Sequence, residues 1–237
     1  MKFFGSVLRK NLTPRCTAII AAAGSSTRMG GEDKLFLGLS GRPVIYWSVK
    51  AFQDSDCVDE IIVVTREEKV EELAALMSDS GFTKVTKVLK GGETRQDSVL
   101  IGTLEAGKCS LIAVHDGARP LVRPTHIARV IKDARVFGGA TLGVPVKDTI
   151  KVVQDGIITA TPDRATLYLT QTPQVFQSEG LKAAYRQGFS TAFTDDASVA
   201  SAYGMPLTFV EGERLNIKLT TPEDMILAEA ILSSSSN

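Results

Sequence analysis

The sequence predicts an α/β chain: a mostly parallel, twisted sheet with helices on both faces and a protruding β-arm. Three observations predict it. Short apolar, β-branched runs alternate with amphipathic segments at helical spacing from residue 17 to residue 137. The strand-like runs stop in glycine or polar residues, as strands do where they feed a ligand-side loop. After Pro145 the rhythm breaks, and a hairpin signal centres on Asp155-Gly156.

The elements follow in order. Thr17 to Ala22 reads as a buried strand that ends in Ala23, Gly24, Ser25 and Ser26. Val44 to Phe52 carries apolar residues at helical spacing (Val44, Trp47, Ala51), with Pro43 near its start. Glu60 to Thr65 is a β-branched strand, and Glu67 to Ser80 an amphipathic helix closed by Gly81. Lys84 to Leu89 is a third strand, followed by Gly91-Gly92 and a helix from about Gln96 to Ala106. Leu111 to His115 is a strand, and Thr125 to Phe137 a helix stopped by Gly138-Gly139. Beyond the hairpin the chain returns through Leu167 to Val175. Helices follow near Glu179 to Gly188 and Ala197 to Tyr203, then a strand from Leu207 to Glu211. A last helix has Thr221 as cap, Pro222 at its first position, and Glu223 and Asp224 in its first turn. Residues 1–14 read as a flexible leader and 233–237 as a flexible tail. That leaves one domain at 15–232 with the arm at about 147–166.

Composition narrows the function. Lys plus Arg and Asp plus Glu number 27 each, so the net charge is zero. A nucleic-acid-coating protein would carry a basic excess. A local cationic pocket for a small anion remains open. Cys16, Cys57 and Cys109 have no C-x-x-C spacing, which predicts reduced thiols in a cytoplasmic protein rather than a disulfide frame or a zinc site. No run of about 18 apolar residues exists, so no membrane partner is expected. A two-stranded ribbon is marginal alone in water. The arm is therefore expected to pack on something, with the same arm of a second subunit favoured over its own domain.

Several polar motifs interrupt the apolar pattern. Ala21-Ala-Ala-Gly-Ser-Ser-Thr-Arg-Met-Gly30, with Lys34 shortly after, places small residues and two cations at a strand's carboxyl end. Backbone N–H groups approach a ligand closely there, and Arg28 and Lys34 supply what a polyphosphate needs. Neither G-x-x-x-x-G-K-[ST] nor G-x-G-x-x-G is present, so a P-loop and a dinucleotide fingerprint are both excluded. Gly91-Gly-Glu-Thr-Arg-Gln-Asp-Ser98 fits two readings: a cradle for a base or ribose with Ser98 as hydrogen-bond partner, or a turn with helix capping. Asp116 follows a buried strand and can serve a ribose hydroxyl or sit near a metal. His115 reads as a structural strand-end residue, and Arg119 as a partner for Asp116. Gln171-Thr-Pro-Gln174, Thr194-Asp-Asp-Ala-Ser198 and Asn216-Ile-Lys218 are each expected to put polar groups at strand ends.

The ordered set AAAGSSTRMG…K, GGETRQDS, VHDGARP, PVKDT, DR, QTPQ, TDDAS and NIKLTTPED resembles the 2-C-methyl-D-erythritol 4-phosphate cytidylyltransferases of the non-mevalonate isoprenoid pathway. The likeness runs from about residue 16 to 232. It implies a Rossmann-like nucleotidyltransferase fold and a homodimer with interlocking arms. It also implies a Mg²⁺-dependent reaction of CTP with the polyol phosphate. By matching position, Ala22, Ala23, Gly24 and Ser25 would line the CTP loop. Arg28, Lys34 and Lys218 would act on the phosphates, Lys218 from a late strand. Gly92, Glu93 and Ser98 would contact the cytosine, and Asp116 and Gly117 the ribose. Thr149, Arg164 and Thr172 would hold the sugar phosphate, Arg164 across the dimer. No protein metal cluster is implied: Mg²⁺ would be held mainly by phosphates, near Asp116. The chain departs from the pattern in having Asp33 where many members have proline, and Gly117 where alanine is common, a change expected to be sterically harmless.

The chemistry suits these residue types. A phosphate monoester is already anionic at neutral pH, with a second pKa of about 6, so no strong general base is required. The obstacle is repulsion between two anions, which cations answer by electrostatic stabilisation. Two rivals stand beside this reading: a ribitol 5-phosphate cytidylyltransferase, and a catalytically silent nucleotide-binding regulatory subunit.

Overall fold

The computed structural model describes residues 16–24, 33–188 and 193–235. Its centre is a seven-stranded sheet. In chain order its strands are β1 (Cys16–Ala22), β4 (Glu60–Thr65), β5 (Val85–Lys90), β6 (Leu111–Asp116), β7 (Gly139–Pro145), β10 (Tyr168–Gln177) and β11 (Thr208–Glu211). The spatial order is β11-β7-β10-β6-β1-β4-β5. Only β10 runs against its neighbours, so the sheet is mostly parallel, as predicted. Two small ribbons stand apart: β2 (Gly38–Leu39) with β3 (Arg42–Pro43), and β8 (Val152–Gln154) with β9 (Ile157–Ala160). The helices are α1 (Val44–Gln53), α2 (Val70–Asp79), α3 (Arg95–Glu105), α4 (Pro124–Phe137), α5 (Ser178–Gln187), α6 (Asp196–Ala202) and α7 (Pro222–Ser235).

Side-chain alternation along the central strands builds a core on each face. On β1, Ala18, Ile20 and Ala22 join one cluster while Ile19 joins the other. Ile61 and Val63 of β4 and Leu111 and Ala113 of β6 follow the first set. Ile62, Val64, Ile112 and Val114 follow the second. The first cluster takes in α1, α2 and α4 through Val44, Leu73 and Ile127. The second takes in α3, α5 and α6 through Val99, Leu181 and Ala200. Strands buried on both faces read as continuous apolar runs, which is why β1, β4 and β6 were legible. Their carboxyl ends meet at one rim, where Ala21 pairs with Asp116 and with Val64.

Three features differ from the expectation. The strand β7 has no β-branched run to announce it. Its Gly143 instead gives room to Phe209, whose ring a Cβ would meet at 2.1 Å. Lys218 does not lie on a strand; it sits in an irregular segment after β11, tied down by Leu219 N–H donating to the Ala118 carbonyl (2.8 Å). The final helix α7 continues to Ser235, past the expected end of the domain at 232. Gly117 is closely packed: a Cβ there would stand 2.9 Å from Ile45 Cδ1 and 3.2 Å from the Ala21 carbonyl oxygen.

The arm forms as predicted. Asp155 (φ 51°) and Gly156 (φ 80°) make the tight turn, both in the left-handed region that such hairpins require. Every residue of β8 and β9 is exposed. Its base is tied by Val146 N–H to the Leu167 carbonyl (3.0 Å) and by Arg164 Nη1 to the Lys147 carbonyl (3.0 Å).

Candidate active site

Five chain segments converge at the rim to line a cleft of about 410 Å³. The end of β1 brings Ala22, Ala23 and Gly24. The turn at 33–36 brings Lys34, the start of α3 brings Gly92, Glu93 and Ser98, the end of β6 brings Asp116, and the segment after β11 brings Lys218. Arg95, Thr94, Ala118 and Thr220 complete the wall.

Local sequence explains each placement. Asp33 shapes the turn that carries Lys34: its carboxylate accepts from Leu35 N–H (3.2 Å) and pairs with Arg66. The glycines before α3 are required by close packing, since a Cβ on Gly91 would meet Ala23 Cβ at 2.7 Å and one on Gly92 would meet Asp97 Cβ at 2.3 Å. α3 itself starts with a capping box. Thr94 accepts from Asp97 N–H (3.1 Å), and Asp97 accepts from Thr94 N–H (3.0 Å). The capping reading of this motif is therefore realised. The Ser98 hydroxyl accepts from Gly92 N–H (3.2 Å) and donates to the Thr94 carbonyl (3.0 Å), so it shapes the loop from the inside.

Asp116 is the electrostatic centre. Its Oδ1 accepts from Arg95 Nε at 3.1 Å, its Oδ2 pairs with Lys218 Nζ at 2.8 Å, and Arg119 Nε lies 3.8 Å from Oδ2. Burial would push this carboxyl up, but Arg95, Lys218 and Arg119 outweigh it and hold it well below the usual carboxylate range. Arg95 also reaches Asp196 (2.8 Å), a fully buried carboxylate. Burial disfavours the Arg95 charge, yet Asp196 and Asp116 raise its pKa above the ordinary guanidinium value.

A second, neutral chain holds Asp116 from behind. Asp116 N–H donates to Thr172 Oγ1 (3.1 Å), Thr172 contacts His115 Nδ1 (2.9 Å), and His115 Nε2 lies 3.1 Å from the Arg119 carbonyl. The geometry assigns the Nε2–H tautomer, with Thr172 donating to Nδ1. Burial lowers the His115 pKa to about 4, with Asp116 and the Arg119 carbonyl partly opposing it. His115 is a structural strand-end residue, as its sequence context suggested.

Most of the residues singled out from sequence meet here. Ala22, Ala23, Gly24, Lys34, Gly92, Glu93, Ser98, Asp116 and Lys218 all line the cleft. Ser25 and Arg28 lie outside the described residues. Gly117 does not face the cleft: it is packed against Ile45 and Ala21, and its carbonyl accepts from the Ser48 hydroxyl (2.7 Å). Thr172 is buried behind Asp116 rather than lining the cleft. Thr149 and Arg164 are on the exposed arm and do not line the cleft of their own chain. Arg95, which has no role in the sequence reading, also lines the cleft. No local signal marks it, because the predicted helix starts at about Gln96 and leaves Arg95 outside the first turn, where a cation would conflict with the helix dipole.

Comparison with known proteins fixes the family. The family model for IspD, 2-C-methyl-D-erythritol 4-phosphate cytidylyltransferase, matches residues 16–234. The chain belongs to that family. A relative of that name from Caldanaerobacter subterraneus subsp. tengcongensis is 45% identical over 222 residues, spanning 91% of this chain and 98% of its own. One from Bacillus licheniformis is 41% identical over 219 residues, 91% of this chain and 95% of its own. Among solved structures, the 4-diphosphocytidyl-2C-methyl-D-erythritol synthase of Anaerococcus prevotii superposes with a TM-score of 0.83 at 28% identity, covering 92% of this chain and 96% of its own. The cytidylyltransferase of Thermus thermophilus superposes at 0.73 with 34% identity, covering 91% and 98%. The fold is thus the α/β fold of these nucleotidyltransferases, and the cleft is the candidate active site of a cytidylyltransferase.

Proposed function

We propose that this enzyme transfers CMP from CTP to 2-C-methyl-D-erythritol 4-phosphate in the cleft centred on Asp116, giving 4-diphosphocytidyl-2-C-methyl-D-erythritol and pyrophosphate. The observation that carries the reading is the convergence of Lys34 and Lys218, from distant parts of the chain, on one cleft with a loop of small residues. The family match over residues 16–234 favours this reaction over a ribitol 5-phosphate substrate or a silent regulatory role.

In the transfer, a polyol phosphate oxygen attacks the α-phosphorus of CTP. A new P–O bond forms, the bond between the α-phosphorus and its bridging oxygen breaks, and pyrophosphate leaves with the electron pair. Lys34 and Lys218, joined by Arg28, offset the charge that gathers on the phosphates. Ala22, Ala23, Gly24, Ser25, Gly92 and Glu93 form the nucleotide side, with Ser98 setting the path of the Gly92 loop. Asp116 serves the ribose. Thr149 and Arg164 come from the arm of a second subunit to the polyol phosphate, and Thr172 acts on that site through Asp116.

The donor set fits Mg²⁺ held chiefly by phosphate oxygens. Glu93 and Asp116 are the carboxylates lining the cleft, and among the described residues no group of three or more His, Cys, Asp or Glu is arranged for a metal ion. Asp116 would be its protein ligand, and the ion would neutralise charge on the nucleotide phosphates.

The homodimer reading rests on the arm. Val153, Ile157 and Ile158 are 55%, 67% and 60% exposed on a ribbon that has no face of its own to cover them. A cytoplasmic location is supported by Cys16, Cys57 and Cys109, all of which are free thiols. Among the described residues no helix is long and apolar enough to cross a membrane.

The test is pyrophosphate release from CTP with each polyol phosphate in turn, and from each other nucleoside triphosphate as a control. Release with CTP and the erythritol phosphate alone is expected. Faster release with ribitol 5-phosphate, or none with either, would overturn the proposal.

A further inference from the structure

Arg95 stands where elementary electrostatics would not put a cation. It is the first residue of α3, whose N-terminal turn presents unsatisfied N–H groups and the positive end of the helix dipole. The side chain is mostly buried as well. Two carboxylates offset both costs. Asp116 Oδ1 takes the Nε–H at 3.1 Å, and Asp196 Oδ2 takes an Nη2–H at 2.8 Å.

The second of these partners does not line the cleft and is linked to it through Arg95. Asp196 is fully buried and its other oxygen accepts from the Tyr185 hydroxyl. Its neighbour Asp195 caps α6 through Ser198 N–H (3.0 Å) and accepts from Gln174 Nε2 (2.9 Å). Gln174 lies on β10 in register with Val114 of β6, two residues before Asp116. The anchor is therefore fixed to the same strand pair that carries Asp116, and Arg95 closes the ring from α3.

A guanidinium held this way has one orientation, because its planar fork matches two acceptors at once. It leaves Asp116 Oδ2 turned to Lys218 (2.8 Å). We propose that Arg95, locked by Asp196, is a positioning residue of the transfer step, fixing the carboxylate plane of Asp116 and through it the place of Lys218. The inference rests on the CMP-transfer reading of the cleft. It extends that reading to α6, an element that does not line the cleft.

Steady-state pyrophosphate release, with kcat expressed per folded enzyme by circular dichroism, tests it in Arg95→Gln, Arg95→Lys, Asp196→Asn and the Arg95→Gln/Asp196→Asn double variant. Arg95→Gln is expected to lower kcat about 10²-fold, the scale of a misplacement of about 1 Å, with KM for both substrates within about threefold of wild type. Arg95→Lys recovers about tenfold of that loss. Asp196→Asn alone costs about tenfold, and the double variant is no slower than Arg95→Gln, because both residues act through one contact. A kcat within about threefold of wild type in Arg95→Gln overturns the inference. So do multiplying losses in the double variant, or a KM increase at constant kcat. If Arg95→Gln does not fold, wild-type kcat in both Arg95→Lys and Asp196→Asn overturns it equally. Inactive wild-type enzyme in the same assay would instead strike down the CMP-transfer reading on which the inference stands.

Discussion

At the cleft rim, one carboxylate is gripped by Arg95 and Lys218, backed by Arg119, and seated on a buried Thr172–His115 pair. In the arm, four residues of β9 and three of β8 are all exposed, and the ribbon is tied to its own chain at its base. The two regions are built to different standards, and on the proposed reading they answer to different partners, a nucleotide at the rim and a second subunit at the arm. The rim must hold charge in place before any ligand arrives, so its groups are over-determined within one chain. The arm keeps apolar surface open, which the proposed homodimer would cover.

The largest effect belongs to the rim. Lys34 is carried on a turn fixed by Asp33, which Arg66 pins in turn. Lys34→Ala is expected to lower kcat for pyrophosphate release by about 10²-fold or more, the cost of losing one donor that acts in the transition state. A loss under threefold would remove Lys34 from the reaction and would make the rim no more specialised than the arm.

Next comes the neutral support under Asp116. His115 is fully buried, with its pKa lowered from 6.5 to about 4. Between those values the unfolded chain takes up a proton that the folded chain refuses. The His115 contribution to stability therefore falls as the pH drops from about 6.5 to about 4 and is constant below, where the folded form is protonated too; further loss below that comes from carboxylates with depressed pKa values, Asp116 and Asp224. The full shift corresponds to about 3 kcal/mol. Urea melts between pH 7 and pH 4, without nucleotide or metal, should show this slope in wild type and a shallower one in His115→Gln. Equal slopes would mean that His115 does not carry the acid sensitivity of the rim.

The arm offers the sharpest way to break the contrast. Arg164→Ala is expected to raise KM for the polyol phosphate about tenfold, the scale of one charge-assisted hydrogen bond, with KM for CTP unchanged. Mixing Arg164→Ala with Lys34→Ala then asks whose cleft the arm serves. A mixed dimer holds one cleft with an intact Lys34 and, from the other chain, an intact Arg164. At polyol phosphate well below KM, the mixture should therefore be faster than the mean of its two parents. If the mixture is no better than its parts, the arm serves its own chain and the division of labour fails.

These same two regions mark how far the sequence could be read. The central strands β1, β4 and β6 were legible because burial on both faces leaves an uninterrupted apolar run. The rim was legible because small or charged residues follow each run, and Ala22 to Gly24, Gly92, Asp116 and Lys34 all came to one cleft. What escaped was set by contacts distant in sequence. β7 is a strand because Gly143 admits Phe209 and β10 pairs along it, neither of which is written in residues 139–145. Arg95 was quoted within its motif and given no role, because its partners Asp116 and Asp196 lie 21 and 101 residues away. The close approach of Ile45 to Gly117 is likewise a property of packing that residues 114–120 do not carry.

The smallest expected effect tests whether a helix cap serves the rim as well as its helix. Asp224 Oδ2 accepts from Thr220 N–H (2.8 Å), Thr221 N–H (2.9 Å) and the Thr220 hydroxyl (2.9 Å). Burial opposes its charge, but these bonds prevail and hold its pKa below the ordinary aspartate value. Thr220 lines the cleft two residues after Lys218, so the cap of α7 also ends the segment that carries Lys218. Asp224→Ala is expected to lower stability by about 1 kcal/mol, the usual cost of a lost cap, and to lower kcat only a few-fold. Asp224→Asn keeps acceptor capacity and should recover most of both. A variant that loses stability but keeps full kcat would show that Lys218 is placed by Asp116 and the Leu219–Ala118 bond alone, and that the rim owes nothing to α7.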